Sequence, residues 1–268
     1  MGVVSRIVPT DLIWVGDSAP IQWVRTQLKE VAETDLPVLL IGEPGTGRRR
    51  AARIVHALGA RKDQPFLQVD FGALHPALTE GLLFGRDGAF EQAEGGTIFL
   101  EEIEQTSKEL QEDLLFHIRA RRPSRAPGGR TSGVRVLAAA SQDLGRMTLE
   151  GSFHPELFYR LNIVPVRLPP LRKRRKDIPP LAAHFVRQCA ARMGRRPPRL
   201  TSEAVRAMLS YDWPGNVWEL KRTLEQAVVL AGDEAIHPRH VRSPFDPSRK
   251  KAWEKASSSS DTPFPSFQ

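Results

Sequence analysis

The chain has 268 residues, 40% of them hydrophobic, with a formal net charge of +8. That is enough apolar material for one sizeable core or two, and no apolar stretch approaches the roughly 20 residues a membrane-crossing helix needs. Cys189 is the only cysteine, so an internal disulfide is excluded, which fits a reducing cytoplasm. The start of the chain lacks the long apolar run and small-residue cleavage site of a signal peptide, and a cytoplasmic location is expected.

In chain order, residues 37–41 form a short apolar run ended by Gly42, the pattern of a buried parallel strand. A Gly-rich turn follows, and then a helical stretch over residues 48–58. Further strands are predicted at 66–70, 97–100, 134–139 and 163–166, with helices between them, such as 107–121. Strands alternating with helices imply an α/β domain whose parallel sheet is covered on both faces. After Pro169-Pro170 the pattern becomes helical, over 178–193, 202–209 and 217–230, with Thr201-Ser202-Glu203 as a capping start. Four parts are expected: an N-terminal segment 1–12, an α/β nucleotide-binding domain 13–170, a small all-α lid 171–241, and a disordered basic, Ser- and Pro-rich tail 242–268. From these residues, a sensory domain before the α/β part and a pair of packed helices after the lid to read DNA are not expected.

Gly42-Glu43-Pro44-Gly45-Thr46-Gly47-Arg48-Arg49 has the frame of a phosphate-binding loop, G-x-x-x-x-G-K-[ST]. Its glycines let backbone N–H groups turn inward on an anion, and the next helix points its positive end at the same place. Arg48 stands where Lys is usual and Arg49 where Ser or Thr is usual. A forked guanidinium keeps the charge and changes the reach. Three successive arginines in a helix's first turn also oppose the helix dipole, which a bound phosphate would relieve. The alternative is a Gly-rich turn with its arginines in solvent. Glu101-Glu102 closes the strand at 97–100, as the acidic pair of such sites does. There the first acid holds Mg²⁺ through water and the second polarises the attacking water.

Three long segments carry a family resemblance. Glu91-Gln92-Ala93-Glu94-Gly95-Gly96-Thr97-Ile98-Phe99-Leu100-Glu101-Glu102-Ile103 resembles the F-E-Q-A-D-G-G-T-L-F-L-D-E-I segment of bacterial sigma-54-dependent activators. Residues 157–172, which include Phe158, Arg160, Leu161, Asn162 and Pro169, match a second signature, and 211–221, with Trp213-Pro214-Gly215-Asn216, a third. The resemblance spans about residues 13–241 and implies an AAA+ P-loop NTPase fold with a helical lid. It also implies binding of ATP with Mg²⁺ between the subunits of a ring, homo- or hetero-oligomeric, and a partner in the transcription machinery. On this footing Gly42 to Arg49 hold the nucleotide, Glu101 the metal through water, and Glu101, Glu102 and Arg160 serve catalysis.

The departures fall on working parts. The G-A-F-T-G-A loop that grips the sigma factor in the family is missing: Leu83-Phe84-Gly85 leads through Arg86-Asp87-Gly88-Ala89 straight to Phe90. His154 takes one of two arginine positions, which reads as an ordinary surface histidine, and Arg160 keeps the other. Trp218 replaces the lid arginine aimed at the γ-phosphate, either as a packing residue or as a ring that stacks on the nucleotide. Asp70 replaces an Asn, a further carboxylate whose repulsion calls for a bound cation. Ser141 stands where Thr-Asn is common. The expectation is a transcription-regulating ATP-binding protein whose hydrolysis is weak or lost. The alternatives are an active ATPase remodelling a different partner, and an unspecific nucleic-acid binder resting on charge.

Overall fold

The structure is a computed structural model that describes residues 3–4, 14–120, 124–125 and 131–241. The tail, Arg121-Arg122 and most of the N-terminal segment lie outside the described residues. The chain divides into two compact units, Met1–Asp177 and Ile178–Gln268.

The first unit runs β1 (Val3–Val4), α1 (Ala19–Ala32), β2 (Val38–Ile41), α2 (Arg48–Leu58), β3 (Phe66–Asp70), α3 (Pro76–Phe84), α4 (Ala89–Gln92), β4 (Thr97–Glu101), α5 (Lys108–Ala120), a small antiparallel pair β5 (Ser124–Arg125) and β6 (Thr131–Ser132), β7 (Arg135–Ala140), α6 (Leu144–Leu149), α7 (Pro155–Leu161) and β8 (Val164–Arg167). The main sheet has the order β1-β3-β4-β7-β2-β8. Its five long strands are all parallel, and only β1 is antiparallel, against β3. All five parallel strands were expected from the apolar runs. The edge pairing of β1 was not, since two residues carry no period.

Both faces of the sheet are covered, and the alternation along single strands shows it. Leu39 packs into the cluster of Leu67, Ile98, Leu100, Val136 and Ala138 on one face. Its neighbours Val38 and Leu40 join Phe66, Phe99, Leu137 and Val166 beneath α1 and α2 on the other. A strand buried on both sides reads as an unbroken apolar run, which is why residues 37–41 were legible. Each such side chain contributes roughly 1.5–3 kcal/mol when fully buried.

Two buried arginines tie the helix ends to this sheet. Arg135, at the start of β7, donates to the carbonyls of Val31 at 2.6 Å and Ala32 at 3.4 Å, the C-terminal end of α1. Burial, then the charge of Arg61, lowers its pKa to about 10, with Asp35 opposing. Arg61 reaches Asp35 and the Gly133 carbonyl, both at 2.9 Å. A cation at a helix C-terminus is favoured by the aligned carbonyl dipoles.

Between α3 and α4 the chain turns within four residues, Gly88 N–H donating to the Gly85 carbonyl at 2.8 Å. A β-carbon on Gly85 would stand 2.5 Å from the Gly81 carbonyl oxygen, and one on Gly88 2.7 Å from those of Gly85 and Leu83.

The second unit holds α8 (Ile178–Arg192), α9 (Ser202–Ser210) and α10 (Asn216–Ala231). Thr201 caps α9, its hydroxyl accepting from Ala204 N–H at 3.2 Å, as expected from the sequence. Trp213 is fully buried before α10, and its indole N–H donates to the Met208 carbonyl at 2.8 Å. Glu219 accepts from Gly215 N–H at 2.7 Å and fixes the turn that starts α10.

His56 of α2 is buried against the Phe66 ring, its Nδ1 2.9 Å from the Thr97 hydroxyl. Burial first, then the charge of Arg135, lowers its pKa to about 4. An imidazole held below its unfolded pKa costs nothing above about pH 6.5 and destabilises the fold as pH falls towards 4, by up to about 3 kcal/mol. Urea unfolding at pH 7.5 and 4.5 should show this loss, and His56→Gln should flatten the pH dependence. An equal slope in both proteins would contradict the assignment.

Candidate functional site

The C-terminal edge of the parallel sheet gathers the chemistry. β2 ends in the loop from Gly42 to Arg49, β4 in Glu101-Glu102, β3 in Asp70 and β7 just before Ser141. In open α/β sheets this edge is where ligands bind. The loop bends through left-handed backbone at Gly45 (φ 78°) and Gly47 (φ 111°), conformations that side-chain-bearing residues rarely take. Gly47 is also the N-cap of α2, so the helix's free N–H groups open onto the loop.

The two arginines that replace Lys and Ser/Thr both turn to the acids, Arg48 buried and Arg49 half exposed. Arg48 is only 4% exposed, and its Nη2 pairs with Glu102. Arg49 donates through Nε and Nη2 to Glu101 Oε2 at 2.9 and 2.6 Å, and through Nη2 to Asp70 Oδ2 at 3.1 Å. Gln68 adds a bond to the same Glu101 oxygen at 3.0 Å. The repulsion expected from Asp70 is therefore met by a guanidinium.

Glu102 has a left-handed backbone (φ 56°), a strain of order 1–3 kcal/mol that clusters at functional sites. Its Oε2 accepts from the Ser141 hydroxyl at 3.2 Å. Ser141 also donates to Glu104 Oε1, at 2.5 Å from its hydroxyl and 2.8 Å from its backbone N–H. Burial raises the Glu102 pKa, Arg48 opposes this, and Glu104 adds to the rise.

The residues do not fit Mg²⁺ as expected for Glu101. One carboxylate oxygen of Glu101, Oε2, is taken by Arg49 and Gln68. The position of the metal-binding hydroxyl holds a guanidinium, and the nearby Thr46 hydroxyl donates to the Glu43 carbonyl at 2.7 Å. Among the described residues no cluster of three or more His, Cys, Asp or Glu offers a metal site.

Other expected site residues are dispersed. Arg160 lies on α7 and pairs with Glu156 of the same helix at 3.4 Å. His154 is not a plain surface residue: it is the N-cap of α7, with Nδ1 accepting from Leu157 N–H at 3.4 Å and its own N–H donating to Gln111 at 2.7 Å. Trp218, in the second unit, is 55% exposed rather than packed in a core, and the Arg222 guanidinium lies 5.6 Å from its ring centre.

Sequence reasoning missed the loop's backing. Arg174 is buried, and its Nη2 donates to the Thr46 carbonyl at 2.9 Å. Burial lowers its pKa to about 10, with Asp177 opposing. Arg172 holds Glu43 through two bonds of 2.7 and 2.5 Å. Asp177 accepts from Ser18 N–H at 2.9 Å and Ser18 Oγ at 2.6 Å at the start of α1. A run of basic residues gives no sign of which one turns inward. Beside the loop lies a cavity of about 500 Å³ lined by Trp23, Gly42, Glu43, Ser141, Pro169 and Lys173, among others.

A parallel sheet with a Gly-rich phosphate loop after one strand and an acidic pair at the end of another defines a P-loop NTPase, here of the AAA+ class with a helical second unit. The chain belongs to the sigma-54 activator family: residues 14–167 match the Sigma-54 interaction domain, and 172–258 the AAA+ ATPase lid domain. It is 42% identical over 225 residues to the DNA-binding transcriptional activator HyfR of Escherichia coli, covering 79% of this chain and 34% of that protein. It is 39% identical over 241 residues to the transcriptional regulatory protein ZraR of Salmonella typhimurium, covering 85% and 55%. The chain thus spans about a third to a half of these relatives. Among solved structures, NtrX from Brucella abortus in complex with ADP is similar, with a TM-score of 0.79, 30% identity, and coverage of 92% of this chain and 61% of that one. No helix of the described residues is long and apolar enough to cross a membrane.

The Arg48–Glu102 pair has a measurable signature. Arg48→Met leaves a half-buried carboxylate unpaired and should cost about 2–4 kcal/mol, while Arg48→Met with Glu102→Gln should recover much of that. Additive losses in urea unfolding would mean that the two side chains do not interact.

Proposed function

We propose that this chain is an ATP-binding AAA+ module of the sigma-54 activator type that regulates transcription in the cytoplasm, with ATP hydrolysis weak or lost. The observation that carries the weak hydrolysis is the engagement of Glu102. A carboxylate that must polarise water is held by Arg48 and shares Ser141 with Glu104. Gly42, Glu43, Pro44, Gly45, Thr46, Gly47, Arg48 and Arg49 form the phosphate cradle. The cavity beside them falls within the 300–1,000 Å³ common for small ligands and suits the nucleoside. NtrX from Brucella abortus is known in complex with ADP and with ATP, which supports the same ligand here.

The working parts are the α/β domain over 13–170 and the lid over 171–241. Residues 85–88 occupy the place of the sigma-contacting loop with a four-residue turn, so the module acts by joining a homo- or hetero-oligomeric ring or another transcription protein rather than by gripping the sigma factor. Arg160 is the candidate for a contact to a neighbour's nucleotide. No part of the lid is assigned to specific DNA binding.

ATP titration and turnover on one purified sample, over a range of protein concentrations, test this. Binding should be measurable, and Arg48→Ala should weaken it about tenfold or more. Turnover should stay well below about 1 s⁻¹, the low end for typical enzymes, and be unmoved by Arg160→Ala. Turnover that rises with concentration and vanishes in Glu102→Ala would instead establish an active oligomeric ATPase.

A further inference from the structure

In P-loop sites a divalent ion is held from two sides. The residue after the loop's basic position offers a hydroxyl, and the acid at the strand end accepts the ion or its water. Both sides are changed here, and the changes fit each other. Arg49 brings a guanidinium to the hydroxyl's position, and Glu101 turns its Oε2 onto that guanidinium at 2.9 and 2.6 Å. The same guanidinium reaches Asp70 at 3.1 Å. One cation between two carboxylates, one on β3 and one on β4, takes the bridging place of a metal ion: it bonds to both and offsets one of their two negative charges. A dication added beside Arg49 would face a fixed positive charge and a Glu101 oxygen already accepting three bonds.

A second observation concerns Arg48. It is nine-tenths buried and more, and its Nη2 is paired with Glu102, yet its Nη1 is buried with no hydrogen-bond partner. A buried charged donor without an acceptor is costly, and native proteins rarely leave one. It sits at the first position of α2, directly after the glycine turn, where an anion would lie.

We infer that the site takes its polyphosphate without a divalent metal, with Arg49 as the built-in cation of the metal position and Arg48 Nη1 as the donor that a phosphate oxygen completes. This rests on the nucleotide-binding reading above. The ligand class is a nucleoside di- or triphosphate in its metal-free form.

Calorimetric titration of the full chain with ATP, once in excess Mg²⁺ and once in EDTA, separates the outcomes. The dissociation constant in EDTA is expected within about threefold of that in Mg²⁺. A larger loss on chelation overturns the metal-free site and leaves nucleotide binding standing. No binding in either buffer overturns both readings. Arg49→Thr restores the hydroxyl and removes the cation, so its binding should fall about tenfold or more in EDTA and recover with Mg²⁺. Equal binding by Arg49→Thr in both buffers overturns the role of Arg49. If that variant does not fold by circular dichroism, Arg49→Lys takes its place. It keeps the charge and should keep binding in EDTA, and metal-dependent binding by it overturns the proposal. Electron paramagnetic resonance of Mn²⁺ with ATP supplies a readout independent of affinity. Adding the wild-type chain should leave the Mn²⁺ spectrum free of a protein-coordinated signal, and the appearance of one overturns the proposal.

Discussion

Two guanidinium groups at the start of α2 reach across to three carboxylates at the ends of β3 and β4, and the arrangement of the site follows from that cross-link. Arg48 to Glu102 and Arg49 to Glu101 and Asp70 join the strand that carries the loop to the strands that carry the acids. β2 and β4 are not neighbours, since β7 lies between them. The ion pairs span that gap at the sheet's open edge, where no backbone ladder can. Without them, three acids would sit together held by neutral donors alone: Gln68 on Glu101, Ser141 on Glu102 and the Gly72 N–H on Asp70. The Arg48 pair is buried and the Arg49 pairs are half exposed, so they add little net stability, although breaking the buried one is costly. They specify which conformation the edge adopts more than how stable the domain is.

The substitutions at this edge are coherent as a set. Lys to Arg, Ser or Thr to Arg, Asp to Glu and Asn to Asp would each disturb the site alone. Together they exchange a coordination geometry for a hydrogen-bonded one: the longer acid reaches the broader base, and the added carboxylate finds the added cation. The buried arginines elsewhere follow the same logic. Arg135 and Arg61 hold carbonyls and an acid at the base of the sheet, and Arg174 holds the back of the loop at Thr46. The chain's excess of positive charge is thus partly internal, which weakens any argument from net charge to nucleic acid.

The sheet and the helices of the second unit were legible because burial on both faces leaves an apolar run, and because Thr201 and Pro214-Gly215 mark helix starts by simple capping and turn chemistry. The loop was legible because phosphate chemistry needs its glycines at fixed spacing. The pairing of Arg48 and Arg49 was not, since a charge in sequence carries no direction: the three arginines read as anion ligands, with a solvated face as the alternative, and neither reading points them at the acids. Arg174 was hidden within its basic run for that reason. His154 read as a surface residue because capping by an imidazole ring lacks the Ser, Thr, Asp or Asn signature. Trp218 reads in the sequence as a core or interface filler or as a ring that stacks on nucleotide; it is half exposed, with the Arg222 guanidinium over its ring, so the core option falls away.

The turn at residues 85–88 bears on how the domain can be re-engineered. Its two glycines are pressed against carbonyl oxygens of α3 and of the turn itself; Arg86 and Asp87 are exposed between them, Asp87 with a left-handed backbone whose N–H donates to Glu91 at 3.1 Å. A protein engineer grafting a longer recognition loop here has one splice site, between those two residues. Any graft that overwrote Gly85 or Gly88 with a side-chain-bearing residue would push the end of α3 away from α4 before the new loop met a partner.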